Sequence, residues 1–328
     1  MGRPVKFFIN TVTFSAIIVA SAQATLAQGE FPSLNTFGSP GLIDMPTAHQ
    51  LPEGTLAATV SYANKSIRST LNFQITPRLS GVFRYTGSKD FKPALNAARV
   101  NAHYDRSFDV RYQLAFESDY RPAITAGIQD LAGTGFFSGE YLVASKTFRP
   151  RIKVTAGLGW GRLAQRGSFS NPLGIISDGF KTRPVIRDTD EYNGRPQFGS
   201  WFRGPAAPFA GIEWTLPNDK VRLKAEYSSD AYLRERTADP NYINIKSPLN
   251  FSAEYRLRSN AVLTAHFIAG SEFGLRFSTS LHPERPAVTG REEAPFPIRN
   301  RNQTFAQQRA LFGDVIAVGD VVSDHVGT

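Results

Sequence analysis

Residues 104–118 read YDRSFDVRYQLAFES. From Phe108 an apolar side chain recurs at every second position: Val110, Tyr112, Leu114 and Phe116. Asp109, Arg111, Gln113, Ala115 and Glu117 stand between them. Period two describes a strand with one oily face and one wet face. In a soluble barrel or sandwich the oily face turns to a core. In a membrane barrel it turns to lipid, and the polar face meets a wet lumen. One strand does not decide between these, so the rest of the chain must.

The same period recurs in about twelve segments, near 55–63, 67–75, 79–86, 108–118, 122–130, 140–148, 151–160, 208–216, 220–228, 249–258, 261–269 and 273–281. Many approach the roughly 9–11 residues that a tilted strand needs to cross a bilayer. Every second connection is minimal and built from turn formers, as in Thr76-Pro77-Arg78, Asp119-Tyr120-Arg121, Arg149-Pro150, Pro217-Asn218-Asp219 and Ser259-Asn260. Several of the others are long: 87–107, 131–139, 161–207 and 229–248. Tight turns at one end and long loops at the other are the pattern of an antiparallel transmembrane β-barrel with periplasmic turns. A lipocalin-like soluble barrel also alternates loop lengths, and the polar face argues against it. That face collects Arg68, Arg84, Arg111, Lys153, Arg222, Lys224, Arg256 and Arg276, with Asp109, Glu117, Glu226 and Glu254. A dry core would hold so many charges only at great cost. Aromatic residues near strand ends, Phe83, Tyr85, Phe116, Trp160, Trp214 and Tyr227, fit interfacial girdles or ordinary cross-strand packing.

Composition agrees with an all-β chain: 27 Gly, 21 Pro, 25 Phe and 11 Tyr in 328 residues. The formal charge of +9 favours acidic partners, and the lack of cysteine excludes disulfides, thiolate metal sites and a lipid-bearing cysteine. Residues 1–27 carry Arg3 and Lys6, then an apolar run and small residues at Ala22, Ala24 and Ala27. This is the layout of a cleavable secretory signal. The expected organisation is a signal peptide over 1–27, a Pro- and Gly-rich lead-in over 28–54, a barrel over 55–281 and a tail over 282–328. The lead-in reads either as a plug or docking segment, or as an extended cap that closes the periplasmic mouth.

Five stretches carry a resemblance: FGSPGLIDMPTA at 37–48, PRLSGVFRYTG at 77–87, YDRSFDVRYQL at 104–114, GIQDLAGTGFFSGEYLVASK at 127–146 and KVTAGLGWGRL at 153–163. They resemble the YjbH family of outer-membrane exopolysaccharide proteins, densely from Phe37 to Pro172 and more thinly to Pro286. The resemblance implies an outer-membrane barrel that works with capsule or exopolysaccharide export machinery. Members of that family are commonly about twice this length. Residues 282–328 lack strand alternation apart from a short apolar patch at Val315 to Val322, and end in Gly327-Thr328 without a terminal aromatic residue. They read as a periplasmic tail or as the start of a second half.

No constellation points to catalysis. The histidines His49, His103, His266, His282 and His325 have no metal-ligand spacing. His266 on the polar face, with a serine from a neighbouring strand, sketches a hydrolase pair, but no G-x-S-x-G elbow accompanies it. Gly127 to Gly139 lacks the Lys-Ser/Thr ending of a phosphate loop and fits a connection that needs positive φ. No cofactor, metal or nucleic-acid partner is expected.

The basic residues carry the functional expectation. The lumen set would make a positive field for an acidic polysaccharide, joined by Arg162, Arg166, Lys181, Arg183, Arg187, Arg195 and Arg203 on the longest loop. Tyr192, Phe198, Trp201 and Phe202 on that loop offer faces to sugar rings. The same loop also suits lipopolysaccharide phosphates. The expected role is a non-enzymatic outer-membrane barrel that assists secretion of an anionic exopolysaccharide. A polysaccharide- or lipid-modifying enzyme, and a closed scaffold recruiting periplasmic proteins of the export assembly, are the alternatives.

Overall fold

A computed structural model describes residues 33–91, 100–184, 194–258 and 260–282. The signal-like segment and the residues after His282 lie outside that set. Among the described residues there are twelve strands: β1 (Leu56–Ala63), β2 (Ser66–Gln74), β3 (Leu79–Phe91), β4 (Val100–Ala115), β5 (Ala123–Gln129), β6 (Gly139–Arg149), β7 (Ile152–Gly161), β8 (Ala206–Thr215), β9 (Val221–Tyr227), β10 (Leu249–Arg258), β11 (Ala261–Ile268) and β12 (Glu272–Leu281). Each pairs antiparallel with the next. β12 returns to β1 in register Leu56↔Leu281 through Tyr62↔Leu275, which closes the ring and leaves no free edge.

The alternation sorts the two faces. On β2, Ile67, Leu71 and Phe73 point outward, while Arg68, Thr70, Asn72 and Gln74 are buried. On β4, Phe108, Tyr112 and Leu114 are exposed, whereas Asp109, Arg111 and Gln113 are buried. Leu275 is 57% exposed and Arg276 on the next residue 2%. The chain is therefore apolar outside and ionic inside, the arrangement of a transmembrane barrel whose outer wall faces acyl chains.

Phe83, Tyr85, Phe116 and Trp214 face outward as the girdle reading expects. Trp160 has the same outward parity but is covered: it is 4% exposed, lying edge-to-face under Phe202 of the long β7–β8 connection at 5.2 Å. The β3–β4 hairpin departs from expectation too, with β3 reaching Phe91 and β4 beginning at Val100 inside the stretch read as loop. On its outer face the exposed Tyr85 and Tyr104 stack on each other at 5.6 Å. Within the glycine-rich stretch, Gly127 and Gly139 belong to strands. Gly135 is the glycine there with positive φ, at 76°.

Residues 33–51 thread through the lumen. Leu42, Met45 and Ala48 pack on the inward-facing Ala123, Tyr141, Val143 and Phe209, with Leu163 from the loop end. Gly211 makes room for this packing, since a Cβ there would stand 2.5 Å from Leu42 Cδ1. Ile43 joins Ala63, Tyr232, Tyr242, Ile243 and Ile268 at the long-loop end. Leu34 and Leu51 meet Ala57.

Candidate functional site: a charged lumen holding its own lead-in

The lead-in folds on itself through the bridges Leu34↔Pro40 and Gly41↔Pro46. So compact a turn leaves main-chain groups unpaired, and buried groups of that kind need partners. The barrel wall supplies them. Glu226 on β9 accepts through Oε2 from the N–H groups of Ile43, Asp44 and Met45 at 2.8, 3.0 and 2.9 Å, and Asn250 steadies its Oε1 at 2.8 Å. Arg111 on β4 donates to the carbonyls of Pro40 and Thr47, both at 2.7 Å, and of His49 at 2.9 Å. Lys224 donates to the carbonyls of Gly41 and Leu42 at 2.9 and 2.7 Å. Ser145, Thr125 and Asn72 bind Ala48 N–H, Ala48 O and Gly38 O. Glu226 and Lys224 on β9 and Arg111 on β4 thus grip the lead-in from two parts of the wall.

At the long-loop end, Arg68 and Arg84 lie over the Phe37 ring at 4.6 and 4.9 Å. Arg84 also pairs with Asp109 at 2.7 Å. Arg162, expected on the loop surface, is instead 3% exposed and clamped between Asp230 at 2.7 Å and Glu235 at 2.6 Å. The cause is local. Gly161 takes φ +62°, turning the chain into the mouth directly after β7. Burial opposes its charge, yet the two carboxylates hold the guanidinium above its usual range. Asp130, at the end of β5, is pushed up to about 7 by burial and then by Asp105, with Arg84 opposing.

The remaining predicted cations divide. Arg222, Lys224 and Arg276 converge on Glu254 of β10, at 3.3 Å and 3.0 Å for the first two. Lys153 and Arg256 are half-buried. On the long connection, Arg183 makes a bidentate pair with buried Glu140 at 2.6 and 3.0 Å, and Arg166 donates to Ser228 O at 3.3 Å. Lys181 is exposed and paired with Asp178, Arg195 is exposed, and Arg203 is half-buried. Trp201 sits half-buried beside the exposed Phe198, ring centroids 4.6 Å apart. Arg187 and Tyr192 fall outside the described residues.

His266 is buried opposite Ser252 in the β10–β11 register, but neither ring nitrogen nor the serine hydroxyl has a hydrogen-bond partner among the described residues. No triad is assembled there. Among the described residues no group of His, Cys, Asp or Glu could hold a metal ion. Sequence reasoning missed Glu140, Asp230 and Glu235 as anchors. Their contacts join segments distant in sequence, and nothing local marks them.

A closed antiparallel ring, apolar outside, with a lumen occupied by its own lead-in, defines a plugged transmembrane β-barrel. The chain belongs to the YjbH family: the family model described as "Exopolysaccharide biosynthesis protein YbjH" matches residues 33–318. It is 32% identical over 261 residues to "Uncharacterized lipoprotein YjbH" of Escherichia coli strain K12, covering 78% of this chain and 36% of that protein. The chain thus spans about a third of the length of that curated relative. Among solved structures, "KdgM porin" aligns over 70% of this chain and 98% of its own at 7% identity and TM-score 0.36. The COG4313 outer membrane channel from Pseudomonas putida F1 aligns over 73% and 100% at 9% identity and TM-score 0.37.

Proposed function

We propose that this chain is an outer-membrane component of exopolysaccharide biosynthesis and secretion, and that it works as a closed, plug-bearing barrel rather than as a standing conduit. Family membership supports the pathway, and the apolar wall supports the membrane. The observation that carries the closed reading is the grip of Glu226, Arg111 and Lys224 on the main chain of residues 40–49. Lumen cations occupied in this way offer little to an acidic polymer, so passage through the ring requires the lead-in to leave. In this reading acidic polysaccharide and lipopolysaccharide meet the exposed basic groups of the long connection, Lys181 and Arg195 among them. The role is non-enzymatic.

The test is deletion of the gene in a strain that makes surface polymer. Surface polymer is expected to fall or change while the cytoplasmic precursor pool persists. Unaltered surface polymer would remove the role.

A further inference from the structure

Beside the lead-in, toward the short-turn end, the lumen keeps a cavity of about 60 Å³. Arg222, Arg276 and Arg256 line it together with Glu254, Ser278 and Asn260. That volume holds roughly two waters at about 30 Å³ each, or one carboxylate-sized group. Among the described residues the cations around it outnumber the carboxylates. Arg222, Lys224 and Arg276 share one near carboxylate, Glu254, while Glu213 stands farther off, 3.8 Å from Arg222. The Arg256 guanidinium, half-buried, has no hydrogen bond or ion pair among the described residues. Arg276, 2% exposed, leaves its Nε without a partner. Asp219, the other acid on the lining, is drawn away into an ion pair with Arg151.

Buried cations in excess are costly unless an anion or water neutralises them. Guanidinium groups match the planar oxygens of a carboxylate or phosphate. We propose that this cavity is a binding site for a small oxyanion, a carboxylate or phosphate group, reached from the short-turn end past Lys220 and Asn260. Arg256 and the Arg276 Nε provide its open donors, and Glu254 keeps Arg222 and Arg276 aligned beside it.

The site stands apart from the proposed role in polymer production. Failure to bind an anion would leave that role intact, and unaltered polymer in a deletion strain would leave the site intact. The test uses the purified full chain in detergent, with inorganic phosphate and glucuronate titrated separately by calorimetry, and Arg256→Gln compared with Arg149→Gln on a different turn. Heat-modifiable gel migration confirms that each variant is folded. Saturable binding of at least one anion is expected, weakened tenfold or more in Arg256→Gln and unchanged in Arg149→Gln. Binding of phosphate alone would assign the site to free or lipid phosphate. Binding of glucuronate alone would assign it to acidic sugar. Absence of binding by both anions, or equal binding in folded Arg256→Gln, would overturn the proposal.

Discussion

Glu226 shows how a single lumen residue decides whether the barrel is closed. Its carboxylate faces three consecutive N–H groups of the lead-in, 181 to 183 residues away in sequence. Replacing it with alanine would leave those donors buried without an acceptor. Leaving a buried donor unsatisfied costs about 1–3 kcal/mol. Glu226→Ala is therefore expected to lower the denaturant midpoint of the purified barrel clearly, and an unchanged midpoint would contradict the clamp.

A second residue, Glu117, guards the point where the lead-in leaves the lumen. Burial raises its pKa, but bonds from His49, Thr147 N–H and Lys146 outweigh burial and bring it down to about 2, against an ordinary value of 4.5. A folded value below the unfolded one means the contribution is complete above pH about 4.5 and lost as pH falls toward 2. Wild-type stability should accordingly decline over that window more steeply than that of Glu117→Gln, as read by unfolding at stepped pH. Parallel declines would remove Glu117 from the account. Period two was enough to put Arg111 and Glu226 on the inner face. It could not show that they bind main chain, because a residue's parity carries no information about which distant segment fills the space opposite.

At the scale of the strand, legibility follows the lipid. Where a strand crosses the bilayer, one face must be apolar and the other polar, and the twelve segments read from period two all became strands of the ring. In β4 the alternation is broken at Arg106, although Tyr104, Ala102 and Val100 continue it beyond, and with that break the outer part of the hairpin reads as loop. Trp160 failed for a different reason. Its outward parity was right, but Phe202, from a connection whose path no local rule describes, covers it. The lipid reading of the outer face makes an energetic prediction. Leu275→Arg puts a cation on the oily wall, which costs about 2–4 kcal/mol at the bilayer midplane and less near the interfaces. Leu275→Ala should cost appreciably less. Refolding both variants into lipid vesicles and measuring the unfolding free energy checks the difference, and equal stabilities would place Leu275 away from lipid.

Over the whole molecule, ring size and filling set what the barrel can pass. Eight-stranded barrels are filled by their own side chains, and 16-stranded porins keep an aqueous channel. A twelve-stranded ring lies between, and here the lead-in occupies the difference: Leu42, Met45 and Ala48 take the inner face that water would otherwise wet, while Arg111, Lys224 and Glu226 are hydrogen-bonded by its peptide groups. The lumen charges therefore have two stable partners, the lead-in or bulk water, and exchanging one for the other does not require the wall to unfold, because the strand-to-strand hydrogen bonds are independent of the plug. Purified full chain in planar bilayers is expected to conduct little. Deleting residues 36–47 should leave a folded, heat-modifiable barrel with clear ohmic conductance, since the exposed cations and carboxylates would then line a wet pore. Full-chain conductance equal to that of the deletion would mean that the lead-in does not seal the ring. A folded deletion variant that stays silent would place the seal instead in the cap formed by Arg162, Asp230 and Glu235 at the long-loop end.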